Sequence, residues 1–190
     1  MSEMGAIPYS LLTELESVKD MDLPPVHLWD PPLSGEIDIR ISRDGTWVHE
    51  GTAITRQRLV RLFSTILRRE SDGGYYLVTP AEKWRLQVED APFHCVLVED
   101  SGRGEQQILT FTTSVADKVV ADAGHPLRFA IDSETEQPSP YVLVRDGLEA
   151  LLARSVYYQL MDLAVERVVD GENWLGIWSS GVFFKALRCA

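Results

Sequence analysis

Cysteine is scarce in this chain: Cys95 and Cys189 are the two among 190 residues. Two thiols form neither a disulfide framework nor a four-thiolate zinc site. The four histidines, His27, His49, His94 and His125, show no metal-ligand spacing and no His-Glu-x-x-His pattern, so no metal is expected, and no motif implies a cofactor. Basic residues are in deficit, 18 against 29 acidic ones, for a net charge of −11. Duplex nucleic acid and anionic membranes repel such a chain, and neither is expected as a partner. No apolar run approaches the roughly 18 residues of a bilayer span. The opening Met-Ser-Glu-Met lacks the basic and apolar regions of a secretory leader, so no membrane insertion and a cytoplasmic location are expected. Gly-x-Ser-x-Gly is absent as well, which removes the usual elbow of a serine hydrolase.

What is present is ordinary globular material, 45% apolar and 25% charged, enough to bury a core in one large domain or two small ones. Residues 10–19 read as a short amphipathic arm, with Ser10 as cap and Leu11, Leu12, Leu15 and Val18 on one face. About ten residues do not hold a helix alone, so the stripe must dock, on its own body or on a partner protein. A lead-in over 21–35 follows, stiffened by two Pro-Pro pairs around Trp29. Glu36 to Ser42 alternates as a strand, with Ile37, Ile39 and Ile41 on one face and Asp38 and Arg40 on the other. Arg43-Asp44-Gly45 turns it into a hairpin with Trp47-Val48-His49. Leu59, Leu62, Phe63, Ile66 and Leu67 predict a helix over about 55–70, ended by Asp72-Gly73-Gly74. Short strands then dominate to about Val144, a helix is predicted over 148–167, and a hairpin around Ser179-Ser180-Gly181 closes the chain. The class is α+β with antiparallel sheets, organised as an arm (1–22), an N-terminal domain (23–81) and a C-terminal domain (82–190).

The two halves echo each other. Ile41-Ser42-Arg43-Asp44-Gly45 resembles Leu143-Val144-Arg145-Asp146-Gly147, and a helix and an aromatic strand follow each. A duplicated strand–turn–helix–strand unit accounts for this, as does any helix set between two strands. Under duplication, the seam between two similar units is the natural place for a ligand.

Several motifs in order resemble a bacterial family, the domain of unknown function 1285. They are Leu-Pro-Pro-Val-His-Leu-Trp at 23–29, Ser-Gly-Glu-Ile-Asp-Ile-Arg-Ile at 34–41, Arg-Asp-Gly-Thr-Trp at 43–47 and Arg-Leu-Phe at 61–63. Thr-Pro-Ala-Glu-Lys at 79–83, Val-Glu-Asp-Ala-Pro-Phe at 88–93 and Trp-Ser-Ser-Gly at 178–181 continue the series, which covers Leu23 to about Phe184. The resemblance implies a two-domain α+β protein with a repeated motif and a C-terminal half superficially like a pleckstrin-homology fold. It also implies a ligand site in the interdomain cleft, a nucleophilic cysteine there, and a signalling role that senses fatty-acid-derived molecules. This chain departs at one point: Ser34-Gly35 stands where family members tend to carry Cys-Gly. A hydroxyl needs a positioned base to match a thiolate, so the exchange favours binding over covalent chemistry.

The expected site is therefore Ser34, Gly35, Asp38, Arg40, Trp47 and Trp178, holding a small molecule. Ser34 is the one weak catalytic candidate. A hydrolase or acyl-transfer enzyme would need His27 or His49 as its base and a carboxylate such as Asp38 to orient it. A protein-interaction module using the arm is the third reading. Glu89 and Asp90 are adjacent on a strand and face opposite ways, so they form no acid–base dyad. Arg56, Arg58, Arg61, Arg68 and Arg69 are expected on the first long helix, as a solvated flank or an anion-binding face.

Overall fold

The computed structural model describes residues 7–18, 23–131 and 137–189. Met21 and Asp22 of the lead-in lie outside them. The chain divides into two compact units, Met1–Asp90 and Ala91–Ala190.

The first unit runs α1 (Tyr9–Val18), β1 (Leu33–Ile41), β2 (Trp47–His49), β3 (Thr52–Ala53), α2 (Gln57–Thr65), β4 (Leu67–Arg69), β5 (Tyr75–Val78) and β6 (Lys83–Val88). Its six strands form one sheet in the order β3-β2-β1-β6-β5-β4. All neighbours are antiparallel except β1 and β6, whose register puts Arg40 beside Gln87 and Ile41 beside Val88. The sequence reading sets the boundary at 81; the compact units divide after Asp90, because β6 pairs into the first sheet.

Ile37, Ile39 and Ile41 are buried on one face of β1, as their alternation predicts. Trp47 lies opposite Ile41 and stacks on Phe63 of α2, with ring centroids 6.0 Å apart. Leu11 and Leu15 of α1 are buried too, so these two residues of the arm's stripe are covered within this chain.

Two helices are shorter than their periodicity predicts. The Ile66 amide bonds back to Phe63 and Ser64, ending α2, and Leu67, Arg68 and Arg69 pair with Leu77, Tyr76 and Tyr75. The hairpin wins because its turn is strongly built: Gly73 N–H donates to Glu70, Glu70 N–H to Gly74, and Gly74 N–H to Asp72 Oδ1. Arg68 and Arg69 therefore belong to a strand. Arg68 donates to Glu70 twice and to the carbonyls of Val26 and Trp29 at 2.7 and 2.6 Å, which fastens the lead-in's 3-10 turn Val26–Leu28.

The second unit runs β7 (Phe93–Ser101), β8 (Ile108–Thr113), β9 (Lys118–Val120), β10 (Leu127–Ile131), β11 (Pro138–Arg145), β12 (Leu148–Leu152), α3 (Arg154–Asp162), β13 (Val165–Val169), β14 (Glu172–Ser179) and β15 (Val182–Arg188). A six-stranded sheet, β10-β11-β12-β7-β8-β9, joins a three-stranded one, β13-β14-β15. The helix predicted over 148–167 is split into strand, helix and strand. Asp146 and Gly147 both hold positive φ, 43° and 75°, as a two-residue type I′ hairpin demands. That turn folds β12 back on β11, and β7 flanks it in parallel.

Strand, turn, strand, helix and three-stranded meander follow in the same order in both units. In the first, the meander joins β1 through β6. In the second, β10 already occupies one flank of β11 and β12 the other. The last meander forms its own sheet and packs by β15 against β10.

Candidate functional site

The first unit carries a surface groove of about 410 Å³ at the β4–β5 turn and along β6. Gly73, Gly74 and Tyr75 form one side, Arg85 to Glu89 another, and Arg40 reaches it from β1. Arg40 Nε lies 3.4 Å from Glu89 Oε1, and both side chains are about half exposed. The other oxygen of Glu89 accepts the Arg43 amide at 3.0 Å. Arg85 has no carboxylate within ion-pair distance among the described residues; its guanidinium lies 5.9 Å from the Tyr76 ring centre. The nearby carboxylate, Asp72, is committed: it accepts Tyr76 Oη–H at 2.7 Å and the Gly74 amide at 2.8 Å. Those two bonds, the Tyr76 hydroxyl foremost, and then the positive charge of Arg85 hold the Asp72 carboxyl below the ordinary carboxylate range.

The expected site residues are distributed differently from the sequence reading. Ser34 is exposed at the start of β1, and its Oγ accepts the Lys83 amide at 3.3 Å. Among the described residues no imidazole is hydrogen-bonded to it. Gly35 has φ +147°, and a Cβ there would stand 3.3 Å from the Trp84 ring. The close approach that a glycine permits is taken by this chain's own indole. Asp38 is half-buried, and its carbonyl accepts the Glu50 amide. Arg40 alone of the six lines the groove. Ser34 lies at the far end of the β1–β6 pairing, with a register shift of β1 between it and Arg40, and is not among the groove's lining residues.

Trp47 is 2% exposed, sits in the core and is not among the groove's lining residues. It lies opposite Ile41, and that register turns it to the isoleucine face. Trp178 is half-buried in the second unit, 5.3 Å from Phe183 and with the Arg167 guanidinium 4.6 Å above its ring.

Reactive groups are few. Cys95 is fully buried and its thiol donates to the Leu97 carbonyl; burial pushes its pKa up to about 11. Among the described residues no cluster of His, Cys, Asp and Glu would hold a metal ion, and no helix is long and apolar enough to cross a membrane. The Trp-Ser-Ser-Gly motif is structural: Ser179 is buried, donates to the Ala121 carbonyl at 2.7 Å and accepts the Leu109 amide at 3.0 Å.

Sequence reasoning missed Arg85. Its signal was faint: a basic residue on the polar face of an alternating strand, two positions before Gln87.

These features define a two-domain α+β protein with a surface groove on its first domain. The chain belongs to the DUF1285 family: the family's N-terminal domain matches residues 24–91 and its C-terminal domain residues 92–186. A crystal structure of a DUF1285 family protein from Silicibacter pomeroyi DSS-3 is 51% identical, covers 97% of each chain and superposes with a TM-score of 0.86. Another, from Shewanella baltica OS155, is 29% identical over 66% of this chain and 91% of its own, with a TM-score of 0.51. No curated protein matches the chain.

Proposed function

We propose that this is a cytoplasmic small-molecule-binding protein that acts without covalent chemistry, in a signalling role, and that its ligand occupies the groove on the first unit. The observation that carries the reading is the groove, which has a volume in the usual range for small ligands and two arginines, Arg40 and Arg85, among its lining residues. Arg40, marked by the sequence pattern, lines the same groove. Two free cysteines, one fully buried, suit a reducing compartment. The rival hydrolase reading lacks a base: Ser34 answers a backbone amide, and Cys95 is a protonated core thiol at neutral pH. The family resemblance puts fatty-acid-derived compounds first among those to try.

Thermal denaturation of the full chain across a panel of acyl compounds, aromatic acids, nucleotides and sugars tests this. A compound present at 100 times its Kd adds about 2.7 kcal/mol and should raise Tm by several degrees, an effect that Arg40→Ala reduces. A flat panel, together with a bare mass in native mass spectrometry, overturns the reading.

A further inference from the structure

We infer that the open edge of β13 takes an extended peptide of a partner protein, paired antiparallel and reading apolar, acidic, basic from its N-terminus. β13 ends the three-stranded sheet. Its turn to β14, Asp170-Gly171, has φ of 55° and 81°, the conformation of a two-residue hairpin. Val169 and Glu172 flank that turn as a hydrogen-bonded pair, so alternation turns the backbones of Arg167 and Val165 inward to Trp174 and Gly176. The amide and carbonyl of Glu166 and of Val168 therefore face outward, and among the described residues no backbone partner meets them.

The other sheet edges are short or closed. β3, β4 and β9 have two or three residues each, and Arg68 of β4 is fastened to the lead-in. β10 and β15 pack against each other. β13 has five residues with no proline, no lysine and no bulge against β14, and its Val165 and Val168 are 44% and 67% exposed. Such an edge lacks the usual guards against pairing. A second copy of this chain is a poor occupant. The two-fold axis of an antiparallel self-pairing passes through one residue and its own mate. Centred on Arg167 or Glu166, it sets each of these against its like; centred on Val168, it sets Glu166 against Asp170. Centres nearer either end run off the strand.

The charges define what fits instead. Successive residues of β13 face opposite sides of the sheet. Arg167 lies over Trp178 and Phe183, its guanidinium 4.6 and 5.6 Å from the ring centres. Phe183 itself lies across Gly176, where a Cβ would stand 2.5 Å from the ring. Arg167 makes no ion pair among the described residues; on its side of the sheet Glu172 pairs with Arg188, and the turn's Asp170 with Lys185. One positive charge is left there for a carboxylate opposite. On the other side, Glu166 accepts the Asn173 side-chain amide at 3.5 Å and makes no ion pair among the described residues, so a cation suits it, as an apolar side chain suits Val168. Taken antiparallel to β13, these three demands give apolar, acidic, basic. The backbone ladder supplies the grip and the alternate side chains the selection.

Amide NMR of the labelled full chain, titrated with the capped peptide Thr-Val-Glu-Lys-Val-Thr and its charge-swapped form Thr-Val-Lys-Glu-Val-Thr, decides the matter. The first should give saturable shifts and slower hydrogen exchange at the Glu166 and Val168 amides, and should bind about tenfold tighter than the second. Glu166→Arg combined with Arg167→Glu should reverse that order with Tm nearly unchanged, since both side chains are exposed. Equal binding of the two peptides, an order that the double variant leaves unchanged, or edge amides that neither peptide moves overturns the inference. So does a dimer in analytical ultracentrifugation whose Glu166 and Val168 amides are already protected without peptide.

Discussion

Gly35 shows how one residue's chemistry is read from its surroundings. Its φ of +147° is a region that L side chains rarely adopt, and Trp84 stands 3.3 Å from where a Cβ would go. Gly35→Ala should therefore destabilise the first unit by about 1–3 kcal/mol, seen as a lower urea midpoint. The sequence signals that something approaches the backbone here, and only the fold says that it is an indole. Cys95 makes a second case. With its pKa raised to about 11 by burial, the thiol is protonated at any physiological pH. Ellman's reagent at pH 8 should titrate Cys189 in the native protein and reach Cys95 only after denaturation. Modification of native Cys95 at a comparable rate would contradict the buried geometry.

At the scale of elements, two polar side chains hold segments that periodicity could not place. Arg68 ties Glu70 to the carbonyls of Val26 and Trp29. Its hydrogen bond, and then its charge, hold the Glu70 carboxyl below the usual value of 4.5. A depressed carboxyl contributes stability above its unfolded pKa and loses it as pH falls through the folded one. Arg68→Met should thus lower stability at pH 7 and flatten its decline below about pH 4.5, measured by urea unfolding from pH 3 to 7. Ser179 is the second fastening. Replacing it with Ala leaves the Leu109 amide and the Ala121 carbonyl without their partner in a buried setting. The expected cost is about 2–4 kcal/mol, against less than about 0.5 for Ser180→Ala on the exposed turn. The isoleucine strand was legible because period two has one meaning. Ile66-Leu67 and 148–152 were not, since a short apolar run fits helix and strand equally until its partner strand is known.

At the scale of the whole molecule, each unit buries a core of its own. Trp47, Phe63, Ile66 and Leu77 are fully buried in the first, and Phe93, Leu109, Phe111 and Leu160 in the second. Separate cores predict separate cooperative units. Trp47→Ala should cost about 3–5 kcal/mol and speed hydrogen exchange at Ile39, Ile41 and Leu77. Slow exchange at Leu109 and Phe111 should persist. A uniform acceleration across both units would show one cooperative body instead.

The sequence by itself determined what local pattern can encode: the α+β class, the apolar face of β1, the turns at Asp-Gly and Ser-Gly, the repeated order of elements and the family. It marked Arg40 for the candidate site, on the face opposite the isoleucines. Tertiary structure decided the rest: that Trp47 belongs to a core, that Ser34 serves the sheet, and that Arg85 lines the same groove as Arg40. The physical reason is range. Alternation fixes which way a side chain faces on its own strand, whereas the parallel pairing of β1 with β6 joins residues some 47 positions apart, Arg40 with Gln87, and no local signal sets that register.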